Sequence, residues 1–270
     1  MKPLFSPIKW AGGKRWLAPR VAAMFRESGA RRLVEPFCGA ASVSLYTRPQ
    51  HAWLNDTNWQ LMTFWSMVVA GRELEDIGGN IQEHYERARA EYNAAPTSVR
   101  RTASLFYYLN KTCFNGLYRV NQKGEFNVPF GKHQTINYKP SFPEITEAMR
   151  YWMITLGDFE QMKTEPEDFV YVDPPYDGQF SSFGEAGFGW EDHVRLALWV
   201  AKQPGLVVIS NSSSERVRHL YESFGFAIEL IDAPRSISCN GNRQRVKEVF
   251  AIKPKKKLTT ARTQEINTTY

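Results

Sequence analysis

The stretch that decides the fold is residues 169–176, Phe169-Val170-Tyr171-Val172-Asp173-Pro174-Pro175-Tyr176. Its first four residues are apolar and rich in β-formers, which predicts a short strand buried on both faces, as in the centre of a parallel sheet. The strand must stop at the two prolines, because neither has an N–H group to donate to a sheet. A carboxylate, a rigid turn and an aromatic ring therefore lie at the carboxyl end of a central strand, which is where open α/β sheets bind ligands.

The tetrad that follows this strand resembles the catalytic motif of amino-methyltransferases that act on adenine N6 or cytosine N4. An exocyclic amine is a poor nucleophile because its lone pair is delocalised into the ring. If the Asp173 carboxylate and the Pro174 carbonyl accept its two N–H groups, the lone pair can face a methyl donor. Tyr176 would stack on the base, which is worth roughly 1–3 kcal/mol. On the tetrad alone, a plain Pro-Pro turn with a capping Asp and a packed Tyr is the alternative.

Composition restricts the class of protein. The 270 residues are 43% hydrophobic and 23% charged, which suits one large or two small domains with a real core. A net charge of +6 permits a polyanionic partner without requiring one. The cysteines, Cys38, Cys113 and Cys239, show no disulfide or metal spacing, and the five histidines show no metal or triad spacing, so we expect no metal and a cytoplasmic location. Neither a signal peptide nor a membrane span is predicted.

Two separate stretches, residues 1–58 and 145–252, carry the pattern of one discontinuous α/β domain. Apolar runs that end at turn residues predict its strands, and amphipathic runs predict the helices between them. The predicted strands are 32–35, 51–54, 151–156, 169–172 and 206–209, followed by an antiparallel pair at 227–231 and 246–252. The predicted helices are 15–27, 190–202 and 214–224.

Residues 59–144 change in character and are predicted to form an inserted, mainly helical domain. Apolar residues recur at helical spacing over 61–68, 81–92 and 99–109. Glycine turns and alternating side chains over 115–131 predict a projecting β-hairpin loop. The segment 107–131 mixes aromatic, amide and basic residues of the types that read bases and hold phosphates, with a solvated hairpin as the alternative.

The last part of the chain, residues 253–270, is predicted to be a basic, flexible tail. It begins with a cluster of four lysines: Lys253, Lys255, Lys256 and Lys257. Such a cluster is either a solvated end or a phosphate contact.

The turn after the strand at 32–35 is a candidate cofactor turn. Gly39 stands before a helix start, where backbone N–H groups can approach a ligand. Asp56 ends the next strand, where a carboxylate can accept both ribose hydroxyls. A single glycine argues against NAD and favours a nucleoside without phosphates, such as S-adenosylmethionine; an ordinary β–α connection is the alternative. The segment Gly12-Gly13-Lys14 lacks the spacing and the Ser/Thr of a phosphate loop, which excludes an NTPase.

Two further segments follow predicted strands. Asp158 could accept the adenine amino group of the cofactor while Phe159 packs on its ring; a loop cap and a core aromatic are the alternative. The serine-rich segment 210–213 lacks the glycine-flanked elbow of a serine nucleophile, so a hydrolase is not indicated.

The order of these motifs resembles that of the Dam-type (D12-class, alpha-group) DNA adenine-N6 methyltransferases. The resemblance covers roughly residues 5–252. It rests on Lys9-Trp10-Ala11-Gly12-Gly13-Lys14, Glu35-Pro36-Phe37-Cys38-Gly39, Asn55-Asp56 and Asp173-Pro174-Pro175-Tyr176, with similar segments at 108–121, 124–131 and Arg235-Ser236-Ile237-Ser238. It implies an α/β fold, with a seven-stranded Rossmann-like methyltransferase sheet and an inserted target-recognition domain. It also implies an enzyme that transfers a methyl group from S-adenosylmethionine to adenine in double-stranded DNA.

The resemblance also implies roles for individual residues. The implied catalytic residues, which hold a flipped adenine, are Asp173, Pro174 and Tyr176. The implied cofactor-binding residues are Trp10, Lys14, Glu35, Phe37, Gly39, Asp56, Asp158, Phe159 and Asp173. The implied DNA-binding residues are Lys9, Phe114, Asn115, Leu117, Arg119, Asn121 and Pro129.

Within that last group the resemblance separates the tasks. Lys9 and Arg119 would read bases of a GATC site, and Leu117 and Pro129 would touch a thymine methyl. The gap left by the flipped base would be filled by Phe114 and Asn115.

The sequence departs from the family pattern at two positions. Ala41 stands where relatives often have Gly, and Phe114 where a Tyr can stand. Open alternatives are another acceptor, namely cytosine N4, RNA adenine or a protein amide, and a non-catalytic DNA-binding protein. A monomer acting on each strand in turn is expected, with a dimer on DNA as the alternative, in the cytoplasm of a prokaryotic cell or as a phage-encoded enzyme.

Overall fold

A seven-stranded sheet runs through the computed structural model, which describes residues 2–95, 98–177, 187–234 and 246–255. The strands are β1 (Arg32–Glu35), β2 (His51–Asp56), β3 (Trp152–Leu156), β4 (Asp168–Val172), β5 (Leu206–Ser212), β6 (Ala227–Ala233) and β7 (Val246–Lys253). Their spatial order is β3-β2-β1-β4-β5-β7-β6. The first five are parallel, whereas β7 runs antiparallel to both β5 and β6. The seven-stranded sheet and the closing antiparallel pair are confirmed.

The strand chosen from the sequence, β4, lies at the centre of the sheet between β1 and β5. All five of its residues are buried, which explains why Phe169 to Val172 are apolar without alternation. Asp168 tolerates burial at the start of the strand because Arg32 on β1 donates two hydrogen bonds to its carboxylate, at 2.8 and 2.7 Å.

Eight α-helices accompany the sheet in the described residues. They are α1 (Ala18–Glu27), α2 (Ser42–Thr47), α3 (Trp59–Val69), α4 (Gln82–Asn93), α5 (Val99–Thr112), α6 (Pro143–Ala148), α7 (Trp190–Lys202) and α8 (Glu215–Ser223). The predicted start of the first helix at Arg15 is wrong. The helix begins at Ala18, because Pro19 fits the first turn, where its missing N–H group has no helical partner. Helix α6 was not predicted.

Two hydrophobic cores lie on the two faces of the sheet. The larger one joins Leu54 and Tyr171 on the sheet to α3 and α5 of the segment 59–144. Within it the rings of Phe64 and Tyr107 stack at 5.5 Å between centroids. The second core packs α7 and α8 against the opposite face. The helical segment therefore shares its core with the sheet, which fixes its position relative to the strand ends.

The loop after α5 carries the predicted hairpin in a reduced form. Two isolated antiparallel bridges, Cys113 with Phe130 and Val120 with Phe126, replace a regular two-stranded ladder. Helix α4 supports the loop: Tyr85 donates to the Val128 carbonyl at 2.6 Å, and the Asn93 amide exchanges two hydrogen bonds with the Phe126 backbone. These bonds hold the loop against the helical segment.

The predicted tail at 253–270 starts too early. Lys253 is the last residue of β7 and is only 8% exposed. Its ammonium donates to the carbonyls of Val200, Ala201 and Gln203 at 2.8–3.0 Å, so it caps the end of α7. Residues 256–270, with Lys256 and Lys257, lie outside the described residues.

Candidate functional site

An open cleft of about 1050 Å³ lies at the carboxyl ends of the parallel strands. The neighbouring strands β1 and β4 lie at its centre. From β1 the chain continues to β2 on one side, and from β4 it continues to β5 on the other side, so the strand order reverses at this point. Such a reversal of strand order creates the crevice in which α/β sheets bind ligands. The cleft is lined by every predicted catalytic and cofactor residue: Trp10, Lys14, Glu35, Phe37, Gly39, Asp56, Asp158, Phe159, Asp173, Pro174 and Tyr176. Of the predicted DNA residues, Leu117 alone is among the lining residues.

Asp173 sits at the centre of a charged cluster at the end of β4. The Lys14 ammonium lies 3.1 Å from its Oδ1 atom, and the two side chains are 5% and 19% exposed. Lys14 also donates to the Gly12 carbonyl at 2.6 Å and lies 4.7 Å from the centre of the Tyr176 ring. The Tyr176 hydroxyl donates to Glu248 on β7 at 2.7 Å. Lys14 thus joins the glycine turn near the N-terminus to the tetrad after β4.

The protonation of this cluster is set by burial against specific donors. Burial raises the pKa of Asp173 above its ordinary value, while Lys14 and a hydrogen bond from Ser210 at 2.8 Å favour the ionised form. Burial likewise raises the pKa of Glu248, against the attraction of Lys14. An ionised Asp173 can only accept hydrogen bonds, which suits it to bind an amino group.

The turn after β1 is shaped by Gly39 and Asp56. Gly39 has a φ of +45°, and a Cβ atom there would lie 2.8 Å from the Trp10 ring. Its N–H group donates to Asp56 Oδ2 at 3.0 Å, while Oδ1 accepts from Asn58 at 3.0 Å. Ala41 has a φ of +50°, which explains why glycine suits that position. The turn therefore brings backbone and a partly buried carboxylate together, and burial raises the pKa of Asp56.

Glu35 ends β1 inside the cleft and is 3% exposed. Its Oε1 atom accepts the Ser44 N–H group at 2.9 Å and also accepts the Ser44 hydroxyl. Glu35 thereby fastens the start of α2 to the sheet. Burial raises its pKa from 4.5 to about 7, although the two bonds from Ser44 act in the opposite direction.

Replacing Glu35 by Gln should therefore change how stability depends on pH. The folded protein keeps the Glu35 proton up to about pH 7, whereas the unfolded chain releases it near 4.5. The contribution of Glu35 to the free energy of unfolding is complete below its pKa in the unfolded chain. It falls by about 3 kcal/mol as the pH rises through its pKa in the folded protein. We expect the free energy of unfolding, measured with urea between pH 5 and 8, to lose this decline in Glu35→Gln. The exposed Glu147→Gln is the matched control, and an unchanged slope in Glu35→Gln would contradict the assignment.

A cluster of aromatic rings lies beside the glycine turn. The Phe37 ring contacts Phe159 at 5.5 Å and Phe188 at 5.6 Å between centroids. Asp158 follows β3 and caps the short turn at Phe159 through the Glu160 N–H group. Arg195 on α7 binds the Asp158 carboxylate at 3.1 Å and lies over the Phe159 ring. A flat ring could pack against the cleft side of this phenylalanine cluster, with the Asp158 carboxylate at its edge.

Lys9 and the turn after α5 are joined by one buried amide. Asn110 is 4% exposed, accepts the Lys9 N–H group at 2.9 Å and donates to the Lys9 carbonyl at 2.7 Å. The turn passes through Asn115 at a φ of +56° and Gly116 at +64°, where a Cβ atom would lie 2.5 Å from the Lys9 side chain. Phe114 is 50% exposed at this turn. Lys9 and Phe114 are thus neighbours on the surface above the cleft.

The remaining predicted DNA residues lie in the loop that α4 supports. The exposed Arg119 donates to the side chain of Asn127 at 2.7 Å. Asn121 closes the turn of the loop, where its oxygen accepts from the backbone of Lys123 and Glu125. Pro129 is exposed. Asn121 therefore shapes the loop, a role that the sequence interpretation did not assign to it.

Several residues at the site were missed from the sequence. Glu248 on β7 and Arg195 on α7 line the cleft, and Ser210 on β5 is buried behind Asp173; no local motif marks these roles. Lys111 was noted only as part of a polar segment. Burial and the neighbouring charges of Lys9 and Lys139 lower the pKa of Lys111 to about 8, which marks a cationic cluster beside the turn. The segment Arg235-Ser236-Ile237-Ser238 lies outside the described residues.

No group of three or more His, Cys, Asp or Glu side chains is arranged to hold a metal ion within ranges 2–95, 98–177, 187–234 and 246–255. In the same ranges no helix has the length and apolar character that crossing a membrane requires.

Comparison with known proteins gives one family and close relatives over most of the chain. The family described as D12 class N6 adenine-specific DNA methyltransferase matches residues 10–237. A DNA adenine methylase of Vibrio cholerae is 34% identical, with 93% of this chain and 97% of the relative covered. A DNA adenine methylase of Escherichia coli is 33% identical, with 91% and 94% covered. The type II methyltransferase M.MjaIII of Methanocaldococcus jannaschii is 30% identical, with 88% and 94% covered.

Proposed function

Because this chain belongs to the D12 class of N6 adenine-specific DNA methyltransferases, we propose that it transfers a methyl group from S-adenosylmethionine to N6 of a flipped adenine in duplex DNA, within GATC. The observation that carries the proposal is the Asp173 carboxylate at the end of β4, held by Lys14 in a cleft at the reversal of strand order. The enzyme acts as a monomer, and its place is the cytoplasm, where prokaryotic DNA lies.

The cleft suits S-adenosylmethionine in its shape and its donor set. Asp56 can accept the two ribose hydroxyls, and the absence of a side chain at Gly39 lets the cofactor approach the backbone. A flat adenine ring can pack on Phe159 beside Phe37, with Asp158 as an acceptor for its amino group. No phosphate-binding element is needed, which agrees with the single glycine of the turn.

The chain's own groups prepare the acceptor. When bound, S-adenosylmethionine supplies an electrophilic methyl group. Asp173 and the Pro174 carbonyl accept the two amino N–H groups of the target adenine, which holds the nitrogen and directs its lone pair. Lys14 favours the ionised form of Asp173, so the carboxylate accepts hydrogen bonds and does not donate one. The Tyr176 ring, fixed through its hydroxyl by Glu248, packs on the base.

The surface above the cleft supports duplex DNA as the substrate. The positive charges of Lys9 and Lys139 each oppose that of Lys111, and an anionic phosphate group beside Lys111 would offset this repulsion. Phe114 projects from the turn that Asn110 ties to Lys9, where a ring can fill the place of a base that has left the stack. The GATC assignment rests on the resemblance of four residues to the Dam-type pattern: Lys9, Leu117, Arg119 and Pro129.

The test is methylation of unmethylated plasmid DNA by the purified protein with labelled S-adenosylmethionine, followed by modified-base sequencing. N6-methyladenine confined to GATC is the expected result. N6-methyladenine in another sequence would overturn the GATC assignment and leave the reaction in place. Modified cytosine, or no modified base although the cofactor binds, would overturn the proposed reaction.

A further inference from the structure

Two buried hydroxyl groups lie behind the carboxylate of Asp173. The Ser210 hydroxyl on β5 donates to Asp173 Oδ1 at 2.8 Å. The Tyr171 hydroxyl on β4 lies 2.9 Å from the same serine oxygen. Ser210 is 0% and Tyr171 1% exposed, so water does not compete for either hydroxyl group.

The direction of these hydrogen bonds follows from the number of protons. A serine hydroxyl carries one hydrogen and two lone pairs. When Ser210 gives its hydrogen to an ionised Asp173, it must accept from Tyr171, so the chain runs from Tyr171 through Ser210 to Oδ1. Each donor polarises the next, which strengthens the bond that reaches the carboxylate. The hydrogen bond from Ser210 and the 3.1 Å contact with Lys14 both meet the carboxylate at Oδ1.

We propose that Ser210 and Tyr171 are positioning residues that fix Oδ1 of Asp173 from the sheet side and favour its ionised form, so that the carboxylate meets the acceptor amine in one orientation. The inference rests on the proposed function, since it takes Asp173 as the group that touches the acceptor base. Lys14 holds the same oxygen from a loop, whereas the two hydroxyls belong to the central strands. Side chains on strands hold geometry more closely than side chains on loops.

The surroundings of Asp173 explain why such donors matter. Burial opposes its ionisation, and Glu35 on β1 and Glu248 on β7 add like charge beside it when they are ionised, which for Glu35 is above about pH 7. The Tyr176 hydroxyl is a further neighbour, and Lys14 is the cation of the cluster. Removing a hydrogen bond to the charged form therefore raises the pKa of Asp173 further.

The experiment compares Ser210→Ala and Tyr171→Phe with wild type in single-turnover methylation from pH 5 to 9. Tyr221→Phe is the matched control, because Tyr221 is also fully buried and bonds a β5 residue, Asn211, through its hydroxyl at 3.2 Å. We expect Ser210→Ala to lower the methylation rate by about 10- to 100-fold, the range for a hydrogen bond to a charged group. The acid limb of its pH profile should move to higher pH, with KM for DNA within threefold. Tyr171→Phe should lower the methylation rate and raise the acid limb by smaller amounts, and Tyr221→Phe should change neither.

A second readout does not depend on turnover. The carboxyl ¹³C resonance of Asp173, assigned by its loss in Asp173→Ala, is titrated in the protein without cofactor or DNA. Its midpoint should rise in Ser210→Ala and Tyr171→Phe and stay unchanged in Tyr221→Phe. Cofactor binding and melting temperature near the wild-type values establish that each variant is folded.

The outcomes separate this inference from the proposed function. If wild type methylates adenine and Ser210→Ala equals it in rate, pH limb and carbon titration, Ser210 does not position Asp173 and the inference is wrong. If wild type modifies no adenine, the proposed function fails, and the carbon titration still decides whether the hydroxyl pair controls Asp173. A rate loss in Ser210→Ala without a change in either titration would also overturn the inference, because it would show a role independent of the carboxylate.

Discussion

Asp173→Ala should lower the single-turnover rate of adenine methylation by at least about 10³-fold, with cofactor and DNA affinity within a few-fold of wild type. The carboxylate is the group proposed to hold the amino nitrogen and direct its lone pair, and alanine offers no acceptor in its place. Lys14 loses its partner at 3.1 Å in this variant but keeps its hydrogen bond to the Gly12 carbonyl at 2.6 Å. Transfer of labelled methyl groups to a short GATC duplex measures the rate, and titration with the same duplex measures binding.

The control for this variant is Asp232→Ala. Asp232 pairs with Lys247 on the β6–β7 hairpin and is 48% exposed, so its removal changes charge by the same amount away from Asp173. We expect wild-type methylation from it. A rate for Asp173→Ala within tenfold of wild type would show that the reaction does not depend on this carboxylate. A loss of DNA and cofactor binding would show that Asp173 is needed for the fold of the cleft.

Asp56→Ala should weaken the binding of S-adenosylmethionine by about 10²- to 10⁴-fold while DNA binding is kept. The Asp56 carboxylate is the acceptor proposed for the two ribose hydroxyls, and hydrogen bonds to a charged group are worth about 1.5–3 kcal/mol each. The variant also frees the Gly39 N–H group that Asp56 now holds at 3.0 Å, so the glycine turn loses its anchor to β2. Calorimetric titration with the cofactor measures the change directly.

The matched control for that variant is Asp76→Ala. Asp76 accepts from the backbone N–H group two residues ahead, at Gly78, as Asp56 does at Asn58, but it lies in an exposed loop. Cofactor affinity should be unchanged in the control. Should Asp56→Ala bind the cofactor within threefold of wild type, Asp56 serves the turn only and the ribose assignment is wrong.

The strands and their chemistry were predictable because the signals are local. An apolar run that ends at Asp173-Pro174 can only be a buried strand with a carboxylate at its end, since prolines cannot continue the ladder. Parallel strands bring their carboxyl ends to one edge, so Gly39, Asp56 and Asp158 were expected to gather near Asp173, and all of them line one cleft. The first residue of a helix was harder to predict, since α1 begins at Ala18 and not at Arg15.

Which side chains support that cleft depends on contacts between distant parts of the chain. Asn110 bonds a backbone 101 positions away, and Tyr176 meets Glu248 because the antiparallel β7 returns beside β5. Ser210 and Tyr171 read as plain strand residues until the pairing of β4 with β5 sets them against Asp173. Most of the elements and the candidate carboxylate were predictable from local sequence, because propensity and chain breaks act over a few residues. The partners of that group depend on strand order and register, which arise only when distant segments pack into one sheet.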